Sequence, residues 1–149
     1  MAKELQIVGF RIGRETFGLP IAAVQEIVRP PEITAVPHAA ECVEGVINLR
    51  GRIVPVIDLR RRFGETRIAN SKKNRILLVQ VESRAVGLMV DSASEVLKLN
   101  EAQIEPPPQV FDDAGGNYVT GVAKHKDRLI ILVDLAKILQ PGELKRMNS

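Results

Sequence analysis

At 149 residues, with 45% apolar and 26% charged side chains, the chain has the balance of one ordinary globular domain and buries roughly 68–70% of its unfolded surface. A net charge of +3 is mild: it permits an acidic partner without demanding nucleic acid. The single cysteine, Cys42, excludes an internal disulfide framework and suits a reducing cytoplasm, and no apolar run approaches the ~20 residues that span a bilayer.

Short runs of valine, isoleucine and leucine, broken by glycine, proline and charged turns, predict an all-β fold. Met1-Ala2-Lys3-Glu4 leads straight into the first run with no sign of a secretory leader. Leu5–Ile12 and Thr16–Leu19 flank Gly13-Arg14-Glu15 as a hairpin. Val24–Val28 is a strand stopped by Pro30-Pro31, and Ile33–Val36 a brief extended piece stopped by Pro37. Val46–Leu49 and Ile53–Leu59 make the next hairpin around Arg50-Gly51, with Pro55 expected at an edge or bulge. Asp58 is placed to cap a short helix over Leu59–Phe63, ended by Gly64. The Arg60-Arg61-Arg62 run reads as that helix's solvated face.

The polar stretch Glu65 to Asn74 is the best boundary in the chain. Beyond it, Ile76–Val81 and Arg84–Val90 flank Glu82-Ser83, and Glu95–Leu99 forms a further strand. Pro106-Pro107-Pro108 stiffens a connection through Asp112-Asp113-Ala114-Gly115-Gly116-Asn117, expected to be a surface loop. Tyr118–Ala123 and Leu129–Asp134 pair as the last hairpin, and Asp134 caps a helix over Leu135–Leu139 that ends at Pro141-Gly142. The tail from Glu143 is polar and expected to fray.

This order repeats. At an offset of 69, Ile7, Gly18, Leu19 and Glu26 fall on Ile76, Gly87, Leu88 and Glu95. At an offset of 76, Gly45, Val46, Arg52, Asp58 and Leu59 fall on Gly121, Val122, Arg128, Asp134 and Leu135. Two copies imply two similar modules facing across a seam. Each alone, at about 70 residues, is near the size where a core supplies only a few kcal/mol, so the two are expected to share a core. SH3-like barrels of about five strands suit the pattern, with β-sandwiches as the alternative. The expected modules are residues 1–68 and 72–149 of one domain, with strand exchange between them left open.

Enzyme chemistry finds little to hold. His38 and His125 have no ligand at metal spacing, and there is no phosphate-cradling glycine loop or nucleophile elbow. Ser92 and Ser94 lack a nearby base. Asp58 and Asp134 are better read as caps than as catalytic acids, and Cys42, with Glu41 and Glu44 close by in sequence, as a packing residue. Neither an enzymatic activity nor a cofactor or metal is expected. The competing class is a small basic barrel that binds nucleic acid through Arg50, Arg52, Arg60 to Arg62 and Lys72-Lys73-Arg75. Such binders need aromatic platforms among the charges, whereas Phe10, Phe17, Phe63, Phe111 and Tyr118 are framed as core.

Gly45-Val46-Ile47-Asn48-Leu49-Arg50-Gly51-Arg52-Ile53-Val54-Pro55-Val56-Ile57-Asp58-Leu59-Arg60 resembles the signature hairpin of the CheW family of chemotaxis coupling proteins. Gly18-Leu19-Pro20-Ile21 with Val24-Gln25-Glu26-Ile27, and Val86-Gly87-Leu88-Met89-Val90-Asp91 with Glu95-Val96-Leu97, are similar to further segments of that family. The likeness runs over roughly residues 5–140. It implies two intertwined SH3-like barrels acting as a non-enzymatic cytoplasmic scaffold, recruited to membrane-associated receptor arrays. The implied partners are the cytoplasmic tip of a chemoreceptor (a methyl-accepting chemotaxis protein) and the regulatory domain of a histidine kinase, itself of the same fold. Two barrel ends also leave room for rings of the protein with itself. The receptor-facing positions implied by the match are Val24, Glu26, Ile27, Ala93 and Val96, with Arg50 at the hairpin tip as a contact residue. Gly45 and Gly51 are read as conformational requirements.

Overall fold

The computed structural model describes residues 3–37, 43–64, 69–107 and 118–139. Cys42, His38, Phe111, the loop from Asp112 and the C-terminal tail lie outside them. Eleven strands among the described residues form two sheets: β1 (Glu4–Ile12), β2 (Glu15–Pro20), β3 (Val24–Val28), β4 (Val43–Leu49), β5 (Arg52–Asp58), β6 (Arg75–Val81), β7 (Arg84–Val90), β8 (Ser92–Asn100), β9 (Ile104–Glu105), β10 (Val119–His125) and β11 (Arg128–Val133). Among the described residues, helices are confined to α1 (Leu59–Arg62), α2 (Leu135–Ile138) and two 3-10 turns, Ile21–Ala23 and Glu101–Gln103. No helix among the described residues is long and apolar enough to cross a membrane.

The first sheet runs β3-β6-β7-β5-β4 and the second β8-β1-β2-β11-β10-β9. Each therefore draws strands from both halves of the sequence. The β1–β2 hairpin joins the second sheet by a parallel pairing of β2 with β11, and the β6–β7 hairpin joins the first by the same pairing of β7 with β5. Thr34, following β3, bridges Val46 of β4, while β9, following β8, pairs with β10. In both sheets the chain beyond one edge strand thus reaches the opposite edge and curls the sheet into a small barrel, which covers edges that would otherwise template foreign strands.

Alternation of side chains sorts the core into three parts. Ile47, Val54, Val56, Ile76, Leu78 and Met89 fill the first barrel. Ile7, Leu97, Leu99, Ala123 and Ile130 fill the second. The largest cluster lies between the sheets, where Val8, Phe10, Phe17 and Leu19 of the second meet Ile57, Leu77, Val79 and Leu88 of the first. The shared core follows from strands apolar on both faces. The repeat is visible in its packing: a Cβ on Gly18 would stand 2.7 Å from Ile7 Cδ1, and one on the equivalent Gly87 2.8 Å from Ile76 Cγ2.

Asp58 and Asp134 cap their helices as expected, accepting from the Arg60 and Ala136 backbone N–H at 3.0 and 2.9 Å. The helical corners meet: Arg62 Nε donates to the Ile138 carbonyl at 2.9 Å, and Phe63 stacks on Tyr118 with ring centroids 4.7 Å apart. Burial raises the Tyr118 pKa, and Arg62 opposes that rise.

Two expectations fail. Pro55 lies in the interior strand β5, between β4 and β7. Val46 opposite it spends both its N–H and its carbonyl on Thr34, so Val46–Pro55 is a non-hydrogen-bonded pair, and the ladder to β7 starts only at Val56. The missing N–H is never asked for. Arg60 is not solvated either: it is 1% exposed, among the largest fully buried side chains. Its Nε and Nη2 grip Asp58 at 2.9 and 3.0 Å, and Nη1 reaches Asp91 at 3.2 Å. Burial lowers the guanidinium pKa, but the hydrogen bonds and charges of Asp58 and Asp91 outweigh that and raise it above its ordinary value. Asn70 and the Ala69 carbonyl complete the ring of acceptors, so this end of the expected boundary segment is held against the first barrel.

Candidate partner-binding site

Strand β3 closes one side of the first sheet and β8 one side of the second. Both carry a bulge against their neighbours. On β3 the register slips between Val24, opposite Val79, and Glu26, opposite Leu78. On β8 it slips where Phe10 opposes Ala93 and Gly9 opposes Glu95. One extra residue changes which side chains share a face. Val24 and Ile27 consequently both sit on the face of Val79 and Leu77, toward the shared core, and Ala93 and Val96 both sit on the face of Phe10 and Val8. The two sets are repeat mates, because an offset of 69 carries Val24 onto Ala93 and Ile27 onto Val96.

Their exposure differs. Ala93 is buried and Val24 half-buried against the shared core, whereas Ile27 is 37% and Val96 54% exposed. An exposed valine or isoleucine at the margin of a core, rather than scattered on a surface, marks an interaction face. Beside them Gln25 Nε2 donates to Gln80 Oε1 at 2.8 Å, tying the β3 bulge to β6.

Glu26 lies on the opposite face of β3, paired with Leu78. The Arg50 guanidinium donates to its carboxylate across the mouth of the first barrel. Both side chains remain open to solvent, where such a pair contributes about 1 kcal/mol or less. Arg50 has φ 52° and Gly51 φ 84°, the two left-handed residues of a type I′ hairpin turn. The Gly51 N–H donates to Asn48 Oδ1 at 3.0 Å. A left-handed arginine costs about 1–3 kcal/mol. Lys126 and Asp127 repeat the conformation with φ 47° and 64°, so the turn is a demand of the fold and the pairing with Glu26 is what Arg50 adds. At Gly45, φ is 152° and a Cβ would lie 2.2 Å from the Thr34 carbonyl oxygen, so no other residue fits beside that bridge.

The structure thus brings Glu26 and Arg50 into contact and sets the four apolar positions on core-facing sides of two edge strands. Sequence reasoning passed over Ile53 and Leu129, which are 68% and 60% exposed, the most open large apolar side chains among the described residues. They are repeat mates at an offset of 76, each three residues past the first turn residue of its hairpin. An apolar residue repeated beside two charged tips was the signal.

A model of the CheW-like domain matches residues 6–143. The chain is 36% identical over 140 residues to the chemotaxis protein CheW of Klebsiella aerogenes, covering 94% of this chain and 84% of that protein. It is 36% identical over 138 residues to the chemotaxis protein CheW of Rhizobium meliloti, covering 93% and 89%. The crystal structure of the scaffolding protein TtCheW from Thermoanaerobacter tengcongensis superposes with a TM-score of 0.85 at 40% identity, covering 95% of this chain and 91% of that one.

Proposed function

Because the chain belongs to the CheW-like domain family and serves as a chemotaxis adaptor coupling receptors to a kinase, we propose that the margin formed by β3 and β8 receives the cytoplasmic tip of a chemoreceptor. The observation that carries this reading is the exposure of Ile27 and Val96, equivalent residues at the rim of the shared core. A helical hairpin tip has an apolar stripe to bury and polar flanks to register. Ile27 and Val96 meet the stripe, Val24 and Ala93 back them, and Glu26 with Arg50 supplies the charged rim. Arg50 holds a planar donor fork that can exchange Glu26 for a carboxylate or carbonyl of the receptor.

The regulatory domain of a chemotaxis-type histidine kinase docks in this reading at a barrel end, where Ile53 or Leu129 stands ready to be buried. The protein acts without catalysis or cofactor of its own, in the cytoplasm at receptor arrays. No observation favours the nucleic-acid alternative.

Titration calorimetry with the kinase regulatory domain is expected to give micromolar or tighter binding. Absence of binding to any cognate domain would reopen what the adaptor connects. Arg50→Ala and Glu26→Ala are each expected to weaken capture by a receptor-tip fragment while moving the unfolding free energy by under about 0.5 kcal/mol. Loss of the fold in either variant would remove both residues from the site.

A further inference from the structure

A cleft of about 350 Å³ opens where the chain crosses from the first sheet to the second, meeting the β8 margin described above at Ala93. Arg11, Lys73, Arg75 and Arg128 line it together with Thr16 and Ser92, and no carboxylate does. Thr16, Arg11 and Ser92 stand in one row across β2, β1 and β8. Arg128 enters from the start of β11, and Lys73 and Arg75 from the segment leading into β6. Asp91, next to Ser92 in the chain, is turned elsewhere, accepting from the Gly13 N–H at 2.7 Å and from Arg60 at 3.2 Å. Arg75 Nη1 donates to the carbonyls of Lys72 and Asn74 at 2.9 and 2.7 Å, which orients the guanidinium without cancelling its charge. Among the described residues no carboxylate forms an ion pair with Arg11, Lys73 or Arg75.

The fold does not require this concentration of charge. Offsets of 69 and 76 carry the six polar lining residues onto Gln80, Ala85, Glu4, Gln6, Ala23 and Arg52 in the other repeat. The equivalent place keeps one cation and gains a carboxylate. Cations gathered at one of two repeat-equivalent places repel one another, and an anion relieves that repulsion. Guanidinium forks fit phosphate oxygens in pairs, and the Thr16 and Ser92 hydroxyls add neutral donors. The cleft is roomier than one phosphate needs and lies within the range of small-ligand pockets. Its one aromatic lining residue, Phe10, is buried, so nothing offers a platform for a base.

We propose that this cleft binds a small anion carrying at least two phosphate groups, as free pyrophosphate or as a diphosphate ester. The anion joins cations contributed by both sheets. Calorimetric titration of the full chain with sodium pyrophosphate at low ionic strength is expected to show one site, with a rise in melting temperature. Arg11→Gln with Lys73→Gln is expected to weaken binding at least tenfold, while Lys98→Gln, an exposed cation on β8 outside the cleft, leaves it unchanged. In the wild-type protein, amide shifts on adding pyrophosphate are expected at Thr16 and Ser92 and not at Thr34, which tests the site even if the double variant folds poorly. ADP binding as tightly as pyrophosphate identifies a diphosphate ester, and weaker ADP binding identifies the free anion. No binding of pyrophosphate, equal binding of orthophosphate, or equal loss in Lys98→Gln would overturn the proposal.

Discussion

Asp58 and Asp134 hold the same place in the two repeats, and each caps a four-residue helix. Two residues on, one repeat has Arg60 and the other Ala136. At Ala136 the cap is all there is. At Arg60 the side chain folds back onto the capping carboxylate and carries on to Asp91. Asp91 sits between β7 and β8, where the chain changes sheets, and its other oxygen takes the Gly13 N–H of the second barrel. One substitution between repeats thus turns a local cap into a bridge between barrels, buried at Arg60 and partly exposed at Asp91. The comparison teaches that the backbone motif belongs to the repeat while the ion pair belongs to one copy.

The sharpest way to break this comparison is Arg60→Ala. Removing the cation leaves Asp58, 1% exposed, buried without its partner, which is expected to cost about 3–5 kcal/mol. Urea unfolding measures it, and a loss under about 1 kcal/mol would mean that water or a rearranged neighbour replaces the guanidinium. Ile57→Ala supplies the reference for an ordinary core loss beside the same corner. Ile57 is fully buried in the shared core, and the cavity is expected to cost about 2–5 kcal/mol. Because that core belongs to both barrels, calorimetry on this variant should still show one transition; two would mean that the barrels unfold separately.

Asp134→Ala removes a cap with no ion pair behind it, and the expected loss is about 0.5–2 kcal/mol. A loss equal to that of Arg60→Ala would erase the distinction between the corners. The smallest effect is read from Tyr118, the only tyrosine, whose carbonyl accepts from the Asp134 N–H at 2.8 Å. Burial raises its pKa against the pull of Arg62, so its absorbance should titrate above the ordinary value of about 10. A pKa raised in the folded state favours the protonated ring. The associated stability is complete below the ordinary tyrosine pKa and fades as pH climbs past the raised one. Unfolding in urea at pH 7 and pH 11 measures that slope, and titration at or below the ordinary value would place the ring in water.

Much of the fold was legible because its signals are local. Hairpin turns at Arg50-Gly51 and Glu82-Ser83, and caps at Asp58 and Asp134, depend on residues within a few positions of one another. The candidate site was legible only as positions. That Val24 and Ile27 share a face depends on a bulge, and a bulge shows itself only against the neighbouring strand. Arg60 was misread for the same reason: a run of three arginines looks solvated until Asp91 and Asn70 arrive from 31 and 10 residues away.

The amino-acid sequence by itself determined the strands, their turns, the internal duplication and the family that these place the chain in. Each rests on alternation, turn chemistry or spacing along the chain. Tertiary structure alone decided the parallel pairings that send β1–β2 into one barrel and β6–β7 into the other, and with them which residues fill the shared core, the buried arginine and the cationic cleft. Strand pairing across dozens of residues depends on which apolar faces find each other once the barrels close. Neither periodicity nor propensity encodes that choice within any single segment.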